Sequence, residues 1–158
     1  MTNSSSVRLD VSRWTRGDWI TGIGTLILLV SLFLPWFGIS VLGFSAEADG
    51  LTAHGYLYLV LVACLAIIGY LVAAASLAEL PAGFPLTHRQ RLLAATGLNA
   101  ALVLLAFLIK PTATSWRFGA FAAVIAAVAA LAPQVRPAAK TSPSAVTAGR
   151  EPGQIGEH

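Results

Sequence analysis

The apolar positions of this 158-residue chain fall into long runs broken by short polar stretches. No Asp, Glu, Lys or Arg occurs from Trp19 to Ala46, from Gly50 to Ala78, from Leu92 to Ile109, or from Phe118 to Val135. About 20 apolar residues, rising 1.5 Å each in a helix, cross a ~30 Å hydrocarbon core. Each gap is long enough for one crossing. The pattern predicts four spans, at about 19–37, 53–78, 88–110 and 116–133.

Turn and cap residues punctuate these spans. Pro35 removes a backbone donor and ends the first, with Trp36 and Phe37 at the depth where aromatic rings settle. The outer segment that follows holds Gly38, Gly43, Glu47, Asp49 and Gly50, and its apolar stretch Ile39 to Phe44 is expected to lie on the interface. Tyr56 and Tyr58 mark the start of the second span, and Pro81, Gly83 and Pro85 form a turn after it. Thr87 and Gln90 make a capping box that opens the third helix at His88. Pro133 is expected to stop the fourth. Residues 1–15 read as a polar and basic tail, and residues 134–158, rich in Pro, Ala, Gly and Ser, as a disordered one.

Helices in lipid associate by close packing of small residues, helped by interhelical hydrogen bonds. Such residues recur at three- and four-residue spacing in three spans: Gly17, Thr21, Gly24 and Ser31; Ala66, Gly69, Ala73 and Ser76; Gly119, Ala123, Ala126 and Ala130. The rows of the first two spans are the more specific, because alanine dominates the fourth. The expected fold is therefore an all-α integral membrane protein with a bundle of four transmembrane helices, residues 16–133 forming that domain.

Composition agrees with this placement. Hydrophobic residues make up 56% of the chain and charged ones 11%, with a mean hydropathy of +0.75. A soluble domain carries about 25% charge. This excludes an ordinary cytosolic enzyme, a nucleic-acid binder and a secreted disulfide scaffold. The net charge of +3 follows from topology. Arg8, Arg13, Arg16, Arg89, Arg91, Arg136, Lys140 and Arg150 flank one side of the spans, and only Lys110 and Arg117 the other. The positive-inside rule then puts both termini and the middle loop in the cytoplasm, across a cell (inner) membrane. An Ala46-Glu47-Ala48 cleavage signal is the competing account of the first span, but it lies too far past the apolar run, and the helix is read as retained. Cys64, the single cysteine, reads as a small hydrophobe.

Candidate chemistry is sparse. No Asp, Glu, Lys, Arg or His lies deep in a span, where such a residue would mark an ion or proton path. No metal-ligand, phosphate-loop or nucleophile motif is present. The intramembrane polar groups that remain are Thr21, Thr25, Ser31, Thr96 and Asn99, with Asn99 expected to bond to Ser31, Tyr70 or a free carbonyl across helices. Arg13, Arg16, Arg89 and Arg91, with His88, are candidates for lipid headgroups or a cytoplasmic partner; Asp18 and Glu79 are expected to pair with these arginines. Pro35, Trp36 and Phe37 offer a surface for a partner on the outer face, or a cap on the bundle. Glu47, Asp49 and His54 are the one set that could gather round a divalent cation; Asp49 reads equally as a cap before Gly50.

Gly17-Asp18 opening the first span, the run from Leu32 to Phe37 closing it, and the acidic outer loop resemble small four-pass bacterial inner-membrane proteins of unassigned function. The resemblance covers residues 13–133 and implies an integral membrane protein; it carries no catalytic or binding residues. The expected function is a non-enzymatic accessory or scaffold subunit acting through helix packing. A small-molecule or lipid carrier or channel component is the alternative, and a membrane-embedded enzyme the third reading. No cofactor or metal is expected. The expected partners are the bilayer and other membrane proteins or a second copy of the chain, and not nucleic acid.

Overall fold

The computed structural model describes residues 12, 14–41, 44–76, 86–111 and 114–136. The chain is mostly helical, with helices α1 (Arg16–Ser31), α2 (Gly50–Ala53), α3 (Leu57–Ser76), α4 (His88–Leu108) and α5 (Phe118–Val135). Strands β1 (Pro35–Val41), β2 (Phe44–Asp49) and β3 (Ser115–Trp116) complete it. The expected tails at residues 1–11 and 137–158, Arg8, Arg13, Glu79 and the turn at Pro81 to Pro85 lie outside the described residues.

Helices α3, α4 and α5 are each long and apolar enough to cross a membrane, with mean hydropathies of 2.6, 1.9 and 2.0. Only 28–39% of each is buried inside the protein. The outward surface is therefore itself apolar: Ile23, Leu26, Val62, Leu65 and Ile125 are all exposed, a covering suited to lipid and not to water. Helix α1 is shorter. Its 16 residues span about 24 Å.

Caps explain the helix starts. Thr87 accepts a hydrogen bond from the Gln90 amide while Gln90 accepts one from the Thr87 amide, the box the sequence predicted. Thr15 and Asp18 form a second box at the start of α1. Each box satisfies two amides that the first turn leaves without helical partners.

The structure corrects the all-α expectation. Helix α1 stops at Ser31, and tight bonds from Phe33 to Val30 and from Leu34 to Ser31 carry the chain to Pro35. From there β1 pairs antiparallel with β2 on one edge, through Gly38 with Glu47 and Val41 with Phe44. On the other edge Phe37 pairs with Trp116 of β3. Past Pro35 the backbone groups have no helical partners, and a ladder supplies them without water. The aromatic and β-branched residues Trp36, Phe37, Ile39 and Val41 suit a strand.

Two further boundaries differ from expectation. The second span begins at Leu57, because α2 ends in an extended residue, His54. Pro133 does not stop α5 but sits inside it. So near the helix end it forfeits one backbone hydrogen bond and little else. Gln134, expected to open the tail, is helical and buried.

Each long helix packs chiefly on two neighbours: α1 on α5 and α3, and α4 on α5 and α3. The α1–α5 contact is the most extensive between helices. A side chain at Gly24 would bring its Cβ within 2.9 Å of the Ala130 backbone nitrogen, so only glycine permits this approach. The rows of the first and last spans thus meet: Thr21, Gly24, Leu28 and Ser31 are buried, and so are Gly119, Ala123, Ala126 and Ala130. The row in α3 does not form a seam. Ala66 and Gly69 are exposed, and α3 instead buries Leu57, Val60, Cys64, Ile67 and Leu71. These larger side chains pack into the core that α3 shares with α1 and α4.

Candidate functional site

At the end where α1 and α4 begin, three polar side chains from three helices form one chain of hydrogen bonds. Asp18 Oδ1 lies 3.0 Å from His88 Nε2, and His88 Nδ1 lies 2.8 Å from the Tyr70 hydroxyl. Tyr70 also stacks on the His88 ring, with centroids 5.4 Å apart. The helix starts determine this arrangement: Asp18 is held at the third position of α1 by Thr15, and His88 is the first residue of α4. Burial raises the Asp18 carboxyl, but hydrogen bonds from His88 and from the Thr15 backbone and hydroxyl outweigh it, leaving the group below its ordinary 3.8. A cleft of about 270 Å³ opens beside these groups, lined by Trp14, Thr15, Asp18, Leu71, Ala74 and His88.

The expected pairing of Asp18 with nearby arginines is replaced by His88, 70 residues away. Arg89 is committed elsewhere: Nε and Nη2 donate to the Gln134 carbonyl at 3.0 and 2.9 Å, and Nη2 also donates to the Arg136 carbonyl at 2.6 Å. These are terminal acceptors of α5, which no helical amide reaches. Arg91 Nε donates to the Leu86 carbonyl, and Arg16 is exposed.

The intramembrane polar residues are all buried, with different uses. Thr21 donates to the Ala130 carbonyl at 3.1 Å and accepts from Gln134 Nε2 at 3.0 Å, tying α1 to α5. Ser31 and Thr96 return their hydroxyls to their own helices, at Leu28 and Leu92, a low-cost arrangement in lipid. Asn99 Nδ2 donates to Cys64 Sγ at 3.5 Å, in place of the expected Ser31, Tyr70 or carbonyl. Thiol sulfur is a weak acceptor. Among the described residues Thr25 Oγ1 and Asn99 Oδ1 have no hydrogen-bond partner.

The opposite end is aromatic. Trp36 is fully buried and donates its indole N–H to the Ser31 carbonyl at 2.8 Å, closing the last turn of α1. Two glycines make its slot: a Cβ at Gly50 would come within 2.7 Å of the indole, and one at Gly119 within 2.7 Å of the Pro35 carbonyl. Phe37 is buried too, against Trp116 and His54. Trp36 and Phe37 therefore cap the helices and are not a free outer surface; Pro35 is half-buried.

The residues considered for a cation do not converge. Asp49 caps α2 by accepting from the Thr52 amide. Glu47 faces Arg117 at 3.6 Å, a Coulombic pair too long for a hydrogen bond. His54 lies among Phe37 and Tyr56. Among the described residues no group of three or more His, Cys, Asp or Glu is placed to hold a metal.

Sequence reasoning missed the Asp18–His88–Tyr70 chain and Gln134. The Thr15-x-x-Asp18 spacing was a readable sign that Asp18 opens a helix; nothing in the spacing pointed across to His88. Compared with protein-family models, curated proteins and solved structures, the chain matches none of them.

Proposed function

We propose that all four long helices cross the membrane as one bundle, with both termini on the cytoplasmic side, and that the protein is a non-enzymatic accessory or scaffold subunit acting through helix packing. The observation that carries this reading is the close approach of α1 and α5 at Gly24 and Ala130, joined by the Thr21 and Gln134 hydrogen bonds. Three of the intramembrane hydroxyls and the Asn99 amide nitrogen are bonded within the protein, which favours packing over a polar transport path. For α1, the turn at Leu32 to Leu34 extends the apolar run towards the interface, and the eight-to-two division of basic residues supports the orientation.

Reporters fused after Gly50 and after Gly83 test the topology: the first is expected outside the cytoplasm, the second inside, and the reverse pattern overturns the orientation. Affinity purification in mild detergent tests the role. A reproducible stoichiometric membrane-protein partner is the expected result; a lone chain carrying only lipid overturns it.

A further inference from the structure

We propose that the cleft beside Asp18 and the apolar groove next to it form one binding site for a lipid with a primary ammonium headgroup, of the phosphatidylethanolamine class. The proposal rests on the membrane placement argued above, and not on the scaffold role. Two hollows share the walls Trp14 and Leu71. One is the polar cleft at Asp18 and His88. The other, about 180 Å³, runs between α1 and α3 along Trp19, Gly22, Ile23, Leu26, Ile68 and Val72, and its surface is almost wholly apolar. The two hollows meet at Trp14 and Leu71, where the indole N–H donates to the Leu71 carbonyl at 3.1 Å; a polar cleft beside an apolar groove matches an amphiphile whose head sits at the interface and whose chain lies along the helices.

Charge selects the head. Asp18 is 8% exposed and pairs with His88, a cation only when that ring is protonated. Asp18 accepts from the Thr15 amide and hydroxyl and from the His88 ring, and its carboxylate forms one wall of the cleft. A carboxylate taken out of water calls for a cation, and an ammonium group in the cleft supplies one. Trp14 borders both the cleft and the groove, and Trp19, edge to face with it at 4.9 Å, borders the groove. Indole faces attract ammonium groups and favour the headgroup depth. A purely anionic headgroup meets repulsion from the same carboxylate. Gly22 keeps the groove open: a Cβ there already touches Leu71 Cδ1 at 3.4 Å, and a longer side chain takes the space of the lipid chain.

The test is native mass spectrometry of the full chain released from micelles holding equimolar phosphatidylethanolamine and phosphatidylglycerol. Roughly tenfold preferential retention of phosphatidylethanolamine, a difference of about 1.4 kcal/mol, is expected. It falls towards equal retention in Asp18→Asn, and also in Gly22→Leu, which leaves the carboxylate and its cap untouched. Should Asp18→Asn fail to fold, Gly22→Leu decides alone. Equal retention by the unaltered chain, or a preference that survives Gly22→Leu, overturns the proposal. Glycerophosphoethanolamine, the head without chains, is expected not to displace the lipid; displacement assigns the site to a soluble amine and overturns the lipid assignment.

Discussion

The two ends of the helices are held by different forces. Where α1 and α4 begin, side chains do the joining: Asp18 to His88, His88 to Tyr70, and Arg89 to the last carbonyls of α5. At the opposite end, backbone ladders and buried rings take over, with Trp36 and Phe37 buried on the central strand of a three-stranded sheet. The difference is one of coupling. Polar side-chain links can be removed singly, each at the modest net cost of a hydrogen bond. The aromatic plug is cooperative, because Trp36 fills a slot made by Gly50 and Gly119 and also closes α1.

Four measurements set the ends against each other. Trp36→Ala empties the slot and removes the indole bond, and is expected to destabilise the protein by about 4 kcal/mol in denaturant titration; a loss under 1 kcal/mol removes the plug from the comparison. Asp18→Asn keeps the shape but weakens the cap and the bond to His88, with an expected loss of about 1–2 kcal/mol in the same titration. Arg89→Ala frees the terminal carbonyls of α5 and is expected to cost about 0.5–1 kcal/mol, seen as faster amide exchange in the final turn of α5 with α3 unaffected.

Acid separates the ends most finely. Burial lowers the His54 pKa below 6.5, more than its bond to the Ile109 backbone raises it, so the folded state takes up that proton less readily than the unfolded chain. The stability held by the neutral ring is complete above pH 6.5 and declines as pH falls through it. Asp18 lies below 3.8; its contribution is present above that value and is lost only as pH falls through the lower, folded one. Between pH 7 and 5, amide exchange is therefore expected to quicken around α2 and β1 while the Asp18 cap holds, and His54→Phe is expected to abolish the response. Equal loosening of both ends contradicts this account.

Much of the helical frame was legible because it depends on nearest neighbours in sequence. The charge-free gaps located α3, α4 and α5, and Thr87 with Gln90 placed the start of α4 to the residue. Asp49 read correctly as a cap for the same local reason. What escaped the sequence depends on contacts between distant segments. Pro35 marked the end of a helix but not that the chain beyond it would pair with Phe44–Asp49 and Ser115–Trp116. Small residues in α3 had the spacing of a seam yet faced outward, since spacing describes a face and not what meets it. Asp18 looked like a partner for arginine, and only the meeting of α1 with α4 shows that histidine stands there. Of the candidate site, the individual residues were visible and their convergence was not.

The contact between α1 and α5 also bears on how the molecule is made. Thr21 and Gln134 are 113 positions apart, so α1 leaves the ribosome well before α5, and its glycine face stays uncovered until α5 is made. Contacts of such separation form late. Gly24 meets the Ala130 backbone of α5, so the arrival of α5 is the step that closes that notch.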